Sequence, residues 1–300
     1  MTTPAGQTAG AEGWGAAGIS VSRGPGLALD VVSLLARPGD VTTVVGGDGA
    51  GKTTLLRCLA GAIAPDAGQV RTPGRRRIGY LAAGSGTYPD LTVAENLAFR
   101  AAAYGLPAPV ARERTAELIG RAGLTGAGER LAGQLSGGMR QKLGVIAALL
   151  HEPDLLILDE PTTGVDPVSR AGLWRLIAGA AAAGAAVVLA TTYLDEAGRA
   201  SSVLVLDGGR ELAAGTPAEI VAAMPGTIVV PAVQPAHAGQ PTDAAQPADE
   251  SRSWRRAGVR RVWVPPARPP LPGEPVTPDL QDAVTVAALA REPHPAPPAS

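Results

Sequence analysis

Nine consecutive residues, Gly46-Gly47-Asp48-Gly49-Ala50-Gly51-Lys52-Thr53-Thr54, combine four glycines, a lysine and two hydroxyls. The spacing Gly-x-x-x-x-Gly-Lys-Thr suits the capture of nucleotide phosphates. Glycines let the backbone curl until successive N–H groups point inward at phosphate oxygens. A helix opening at Lys52 adds partial positive charge at its N-terminus. Lys52 then neutralises the β- and γ-phosphates, and the Thr53 hydroxyl is a candidate Mg²⁺ ligand. Only two lysines occur in the chain, Lys52 and Lys142, so a chance glycine turn would seldom carry one. Further along, Leu155-Leu156-Ile157-Leu158-Asp159-Glu160 is an apolar run ending in two acids. At a strand's C-terminal end Asp159 can hold Mg²⁺ through its water shell, and Glu160 can polarise an attacking water as general base. Between them, Leu135-Ser136-Gly137-Gly138-Met139-Arg140-Gln141 puts a serine and two glycines at a helix start. That arrangement makes either a second anion site or an ordinary N-cap.

These groups need rigid supports at fixed places. Val41–Val45 is a short apolar, β-branched run directly before the glycines, and a helix follows from Lys52 to Ala60. Leu155–Leu158, Ala186–Ala190 and Val203–Leu206 are further buried-strand candidates. Near-continuous apolar runs separated by helices imply an α/β fold, a parallel sheet covered on both faces. Residues 90–150 are largely helical in pattern, with a capping signal at Thr92-x-x-Glu95, and they read as a helical insertion beside that sheet.

Together the three motifs resemble the nucleotide-binding domain of an ABC ATPase, over residues 19–224. The resemblance implies a P-loop NTPase core, ATP and Mg²⁺ as ligands, and Gly46–Thr54 as the ATP-binding loop. It also implies that Thr53 and Asp159 serve the metal and Glu160 the chemistry. Ser136, Gly137, Gly138, Met139 and Gln141 correspond to the family's signature, which contacts the ATP of a second, facing domain. Glu160-Pro161-Thr162-Thr163-Gly164-Val165-Asp166 resembles the D-loop, with Asp166 at the dimer contact. Tyr88–Leu97 and Thr191–Ala197 resemble the multidrug and antibiotic-resistance exporter branch. Asp279-Leu280-Gln281-Asp282-Ala283 resembles that branch's C-terminal helix.

Three positions depart from the family pattern, and all bear on one ATP site. The family has glutamine where this chain has Ala83, after Gly79-Tyr80-Leu81-Ala82, and no glutamine occurs between Gln69 and Gln134. It has histidine where this chain has Thr192. It stacks an aromatic ring on adenine some two dozen residues before the loop, yet no aromatic residue lies between Gly15 and Gly79. Arg23 by cation–π contact, or Trp14, are the substitutes at hand. The expectation is a site that binds ATP and hydrolyses it slowly, while the signature serves a complete partner domain in a heterodimer.

Composition bounds the alternatives. A formal net charge of -1 over 300 residues offers no footprint for nucleic acid. The Arg75-Arg76-Arg77 and Arg255-Arg256 clusters read as solvated surface. The single cysteine, Cys58, excludes an internal disulfide and reads as a packing residue on an apolar helix. Leu176–Thr192 is apolar but interrupted at Gly184, and reads as a helix end followed by a buried strand. Sixteen of the 28 prolines lie from Pro225 onward. Residues 1–18 read as a disordered leader and 225–300 as a Pro/Ala-rich accessory region, partly disordered. Within it, Val259–Val264 reads as a strand, Asp279–Ala290 as a helix, and Pro231–Arg252 and Pro265–Pro278 as linkers. The resemblance implies a motor subunit working with an integral membrane partner, cytoplasmic and peripheral at the inner face of the membrane. A soluble ABC ATPase acting on ribosomes or DNA, and a non-hydrolysing ATP sensor, are the alternative readings.

Overall fold

The computed structural model describes residues 13–24, 26–231 and 251–291. The chain divides into two units, Met1–Ala214 and Gly215–Ser300.

The first unit is built on a six-stranded sheet of order β5-β6-β7-β3-β8-β9. Its members are β3 (Val41–Val45), β5 (Ile78–Leu81), β6 (Leu155–Asp159), β7 (Ala186–Thr191), β8 (Ser202–Asp207) and β9 (Arg210–Gly215). Strands β5, β6, β7, β3 and β8 run parallel. The four apolar runs read from the sequence are β3, β6, β7 and β8, because a strand buried on both faces has no polar side to show. β6 and β7 are buried along their whole lengths.

A second, antiparallel sheet of order β2-β1-β4 joins β1 (Trp14–Arg23), β2 (Gly26–Ala36) and β4 (Ala67–Arg71). Helix α1 (Lys52–Leu59) lies between the two sheets, with Leu55, Leu56, Cys58 and Leu59 in one core with Ile19, Leu29, Val44 and Ile157. Truncating one of these leucines costs about 2–5 kcal/mol. Cys58 is thus a packing residue.

β1 corrects the expected leader, since the strand begins at Trp14; residues 1–12 lie outside the described residues. The run Trp14-Gly15-Ala16-Ala17-Gly18 is poor in strand-forming side chains, and its glycines have a packing cause. A Cβ on Gly15 would sit 2.0 Å from the Leu34 carbonyl oxygen of β2, so only glycine permits that approach.

The helical insertion comprises α2 (Val93–Tyr104), α3 (Ala108–Ala122) and α4 (Gly137–Leu149). Thr92 and Glu95 form the expected capping box. Asn96, 3% exposed, donates to the carbonyls of Tyr88, Leu91 and Thr92 and accepts from the Tyr88 amide, fixing the segment that enters α2. α5 (Pro167–Ala182) precedes β7 and the short α6 (Leu194–Ala197) follows it. Among the described residues no helix is long and apolar enough to cross a membrane.

The second unit takes in α7 (Pro217–Ala222) and β10 (Thr227–Pro231), so the division falls ten residues earlier than the proline content suggests. Its antiparallel sheet β11-β12-β10-β13 includes β11 (Ser253–Arg256), β12 (Val259–Val264) and β13 (Gly273–Pro275). Helix α8 (Leu280–Arg291) packs Val286 against Ile228 and Trp263. Residues 232–250 and 292–300, part of the expected disorder, lie outside the described residues. The arginine clusters are only partly solvated surface. Arg256 and Arg261 pair with Asp282, which is fully buried, and Arg77 pairs with Asp154.

Candidate functional site

The loop Gly46–Gly51 joins β3 to α1, and its path is set by close approaches. A Cβ on Gly46 would lie 2.5 Å from the Leu206 carbonyl oxygen, and one on Gly51 2.6 Å from that of Ala28. Gly51 also has φ 102°, which L side chains rarely adopt. Ala50 is buried and its carbonyl accepts from Gly209, while Asp48 and Gly49 are exposed at the tip. No side chain caps the start of α1 and no acid occupies its first turn. The first N–H groups of that helix are therefore free to meet an anion.

Three side chains converge beside the loop. Lys52, 5% exposed, donates from Nζ to the carbonyls of Gly46 (2.8 Å) and Gly47 (3.0 Å), and lies 3.4 Å from Glu160 Oε1. Asp159 ends β6 fully buried, and neither of its carboxylate oxygens is within hydrogen-bonding geometry of a donor among the described residues. Burial pushes its pKa up, the nearby Thr53 hydroxyl opposes the shift, and the Glu160 charge adds to it. Glu160 adopts φ 51°, an unusual conformation for a non-glycine residue. Its amide donates to the Ala190 carbonyl (3.0 Å), and its Oε2 accepts from the Thr163 hydroxyl (3.3 Å). The turn aims the carboxylate back toward Lys52.

Loop, Lys52, Thr53, Thr54 and Glu160 line a cleft of about 370 Å³, whose far wall includes Arg23, Leu27 and Ala28. No aromatic ring is among the lining residues. Trp14 is at the opposite end of β1, half-buried, with the Arg71 guanidinium 5.7 Å from its ring centre. Arg23 is the one adenine-stacking candidate that the fold brings to the cleft. A larger cavity of about 470 Å³ lies by α3, away from the loop. Its charges are already paired, Arg77 with Asp154, Arg114 with Glu152 and Arg121 with Glu117, so it offers no anion or cation seat.

Ser136 N-caps α4, its Oγ accepting from the Met139 amide at 3.3 Å. Gly137 is exposed and Gly138 buried, where a Cβ would meet Ser169 at 2.7 Å. Gln141 keeps a buried Oε1 without a hydrogen bond. None of Ser136–Gln141 lines the cleft. Asp166 N-caps α5, accepting from the Ser169 and Val168 amides, which lower its pKa. Ala83 lies exposed just past β5, and Thr192 lies exposed just past β7.

The sequence profile described as ABC transporter matches residues 29–163. Nod factor export ATP-binding protein I of Burkholderia pseudomallei is 37% identical over 215 residues, which cover 68% of this chain and 71% of that one. The chain belongs to the ABC transporter family. The probable multidrug ABC transporter ATP-binding protein YbhF of Escherichia coli is 41% identical over 198 residues, 63% of this chain and 34% of that relative. The chain thus spans about a third of the length of YbhF. A solved ATP-binding subunit of an ABC transporter superposes with a TM-score of 0.64 at 29% identity, over 69% of this chain and 91% of that one. In this ABC family member Lys52, Asp159 and Glu160 fall inside the matched segment, whereas Thr192 and the second unit fall beyond it.

One buried residue near the site has no signal in the sequence. Glu196, 1% exposed, accepts from the hydroxyls of Thr162 (2.9 Å) and Thr191 (2.8 Å). It sits in a run singled out for its family likeness, but its partners are 5 and 34 residues away, and no local pattern announces them.

Proposed function

We propose that this chain is the ATP-binding motor subunit of an exporter, coupling ATP binding and hydrolysis to transport through a membrane-spanning partner. The observation that carries the reading is the convergence of Lys52 and Glu160 on one cleft beside uncapped helix N–H groups, with the Asp159 carboxylate buried next to Thr53 and Lys52. The names of the relatives, a multidrug transporter protein and a Nod factor exporter, favour export over ribosomal or DNA roles.

The loop amides and Lys52 hold the β- and γ-phosphates, and Arg23 lies against the base. A buried carboxylate without a hydrogen bond, next to a threonine hydroxyl, suits a hard, oxygen-seeking cation. Thr53 and Asp159 would hold Mg²⁺, which neutralises charge developing on the phosphate oxygens. Glu160 orients and deprotonates the attacking water. Ala83 and Thr192 have neither the amide nor the imidazole that the family places there. A lost orienting group costs about 10²–10³ in rate, so turnover at this site is slow. Ser136–Gln141 and Asp166 face a second nucleotide-binding domain, a complete one in the favoured heterodimer, and residues 215–300 form an accessory unit. Ala83 and Thr192 equally suit an ATP sensor without turnover, but Glu160 poised beside Lys52 argues for hydrolysis.

The reading is tested by purifying the tagged chain from detergent-solubilised membranes of its own cells. A membrane-spanning protein should co-purify and raise ATP turnover. Co-sedimentation with ribosomes and none with membranes would overturn it.

A further inference from the structure

Glu196 stands between two loops that the proposed chemistry uses. Its Oε2 accepts both from Thr162, two residues after Glu160, and from Thr191, the last residue of β7. All three residues are essentially sealed from solvent, at 1%, 0% and 0% exposure. Its other oxygen has no hydrogen bond and lies 3.8 Å from the Arg170 guanidinium of α5. That same guanidinium lies over the Tyr193 ring at 4.5 Å, and the Tyr193 amide donates back to Thr191 Oγ1 at 3.0 Å. Thr192 is therefore gripped on both sides by residues tied to Glu196.

The chain of contacts continues. Val165 donates its amide to the Thr162 carbonyl at 3.2 Å. Asp166 then caps α5 through Val168 and Ser169. Gly138, in the first turn of α4, is so close to that cap that a Cβ would lie 2.7 Å from Ser169 and 3.4 Å from Asp166 Oδ2. Packed, hydrogen-bonded contacts of this kind pass displacement from one element to the next.

We propose that Glu196 is a positioning residue that ties the segment after β7 to the loop after Glu160, so that nucleotide at the cleft is felt at Thr162–Asp166 and at the start of α4. The inference rests on the cleft being an ATP site. Among the described residues the side chain of Glu196 bonds to Thr162 and Thr191 and pairs with Arg170, none of them in loop Gly46–Thr54, so its proposed part is to transmit and not to bind. Its two accepted bonds carry the tie, and the Arg170 ion pair sets its orientation.

Hydrogen–deuterium exchange of the full chain, with and without Mg²⁺ and the non-hydrolysable analogue AMPPNP, tests this directly. In the wild type the analogue should slow exchange in residues 46–55 and, in step, in 161–168 and 191–198. In Glu196→Ala the slowing at 46–55 should persist while that at 161–168 is lost. Glu196→Gln keeps an amide oxygen for both threonine hydroxyls and should restore it. In steady-state assays Glu196→Ala should lower kcat about tenfold with KM within about twofold. Thr162→Val removes one bond without emptying the site, and should weaken the slowing at 161–168 if Glu196→Ala does not fold. Slowing at 161–168 retained in Glu196→Ala, or in Thr162→Val, overturns the proposal. So does a Glu196→Gln variant that behaves like alanine. No slowing at 46–55 in the wild type would instead sink the ATP site itself.

Discussion

Lys52 Nζ lies 3.4 Å from Glu160 Oε1, although Lys52 opens α1 after β3 and Glu160 follows β6, strands that β7 separates in the sheet. The ammonium proposed to meet phosphate and the carboxylate proposed to meet water are thus held in mutual contact. Glu160 reaches that place through its left-handed backbone and its amide bond to Ala190, a conformation that costs of the order of 1–3 kcal/mol and persists where surroundings enforce it.

Lys52→Ala removes the one cation of the loop. Nucleotide affinity should fall about 10- to 100-fold, since a charge-assisted contact is worth about 1.5–3 kcal/mol and tenfold is 1.4 kcal/mol. Titration with a fluorescent ATP analogue reads this. An unchanged affinity would remove the loop from the site.

Asp159→Asn separates function from stability. Burial raises the Asp159 pKa, so at neutral pH the fold holds a charge it disfavours. The native state binds this proton more readily than the unfolded chain, so the penalty grows as pH rises above the ordinary carboxyl range. The neutral amide should raise Tm by about 2–4 °C, the shift that ~1 kcal/mol gives in a domain of this size. It should also abolish the Mg²⁺ dependence of nucleotide binding. Calorimetry with and without Mg²⁺-ATP measures both.

His151 should make the fold acid-sensitive. Its ring stacks on Tyr104 at 3.5 Å, Nε2 donates to the Ile78 carbonyl at 3.1 Å, and Nδ1 is buried with no hydrogen bond. Burial lowers its pKa to about 4, with Arg100, Arg114 and Arg77 adding to the shift. The unfolded chain takes up the proton near pH 6.5 and the native state does not. Its contribution is complete above pH 6.5 and is lost as pH falls toward 4, by about 3 kcal/mol in all. Urea unfolding at stepped pH should show this slope, and His151→Phe should flatten it.

The double change Ala83→Gln with Thr192→His supplies the amide and imidazole that the family places there. Turnover should rise about 10–100-fold, part of what an orienting group is worth, with affinity for ATP little altered. No gain in rate would show that these positions are not what slows the site.

The elements that carry the site were legible because each is local. The strand Val41–Val45, the glycines after it and the acids ending Leu155–Asp159 all declare themselves within a few residues. The antiparallel sheet was not, since Gly15 and Gly18 read as a flexible leader when Gly15 is dictated by a 2.0 Å approach to Leu34. The start of the second unit was misplaced because proline content marks Pro225, whereas the contacts of α7 and β10 place the division at Gly215. Glu196 was hidden for the opposite reason to Lys52: its role lies in hydrogen bonds to residues distant in the sequence.

The steady-state ATP turnover of the purified chain, set beside that of Glu160→Gln, decides whether this cleft is a slow ATPase site. The wild-type kcat should lie below about 1 per second, under the ordinary enzyme range. Glu160→Gln should lower this at least about 100-fold while ATP affinity is kept. A wild-type rate of several per second, or a rate indifferent to Glu160→Gln, would contradict a slow ATPase site at this cleft.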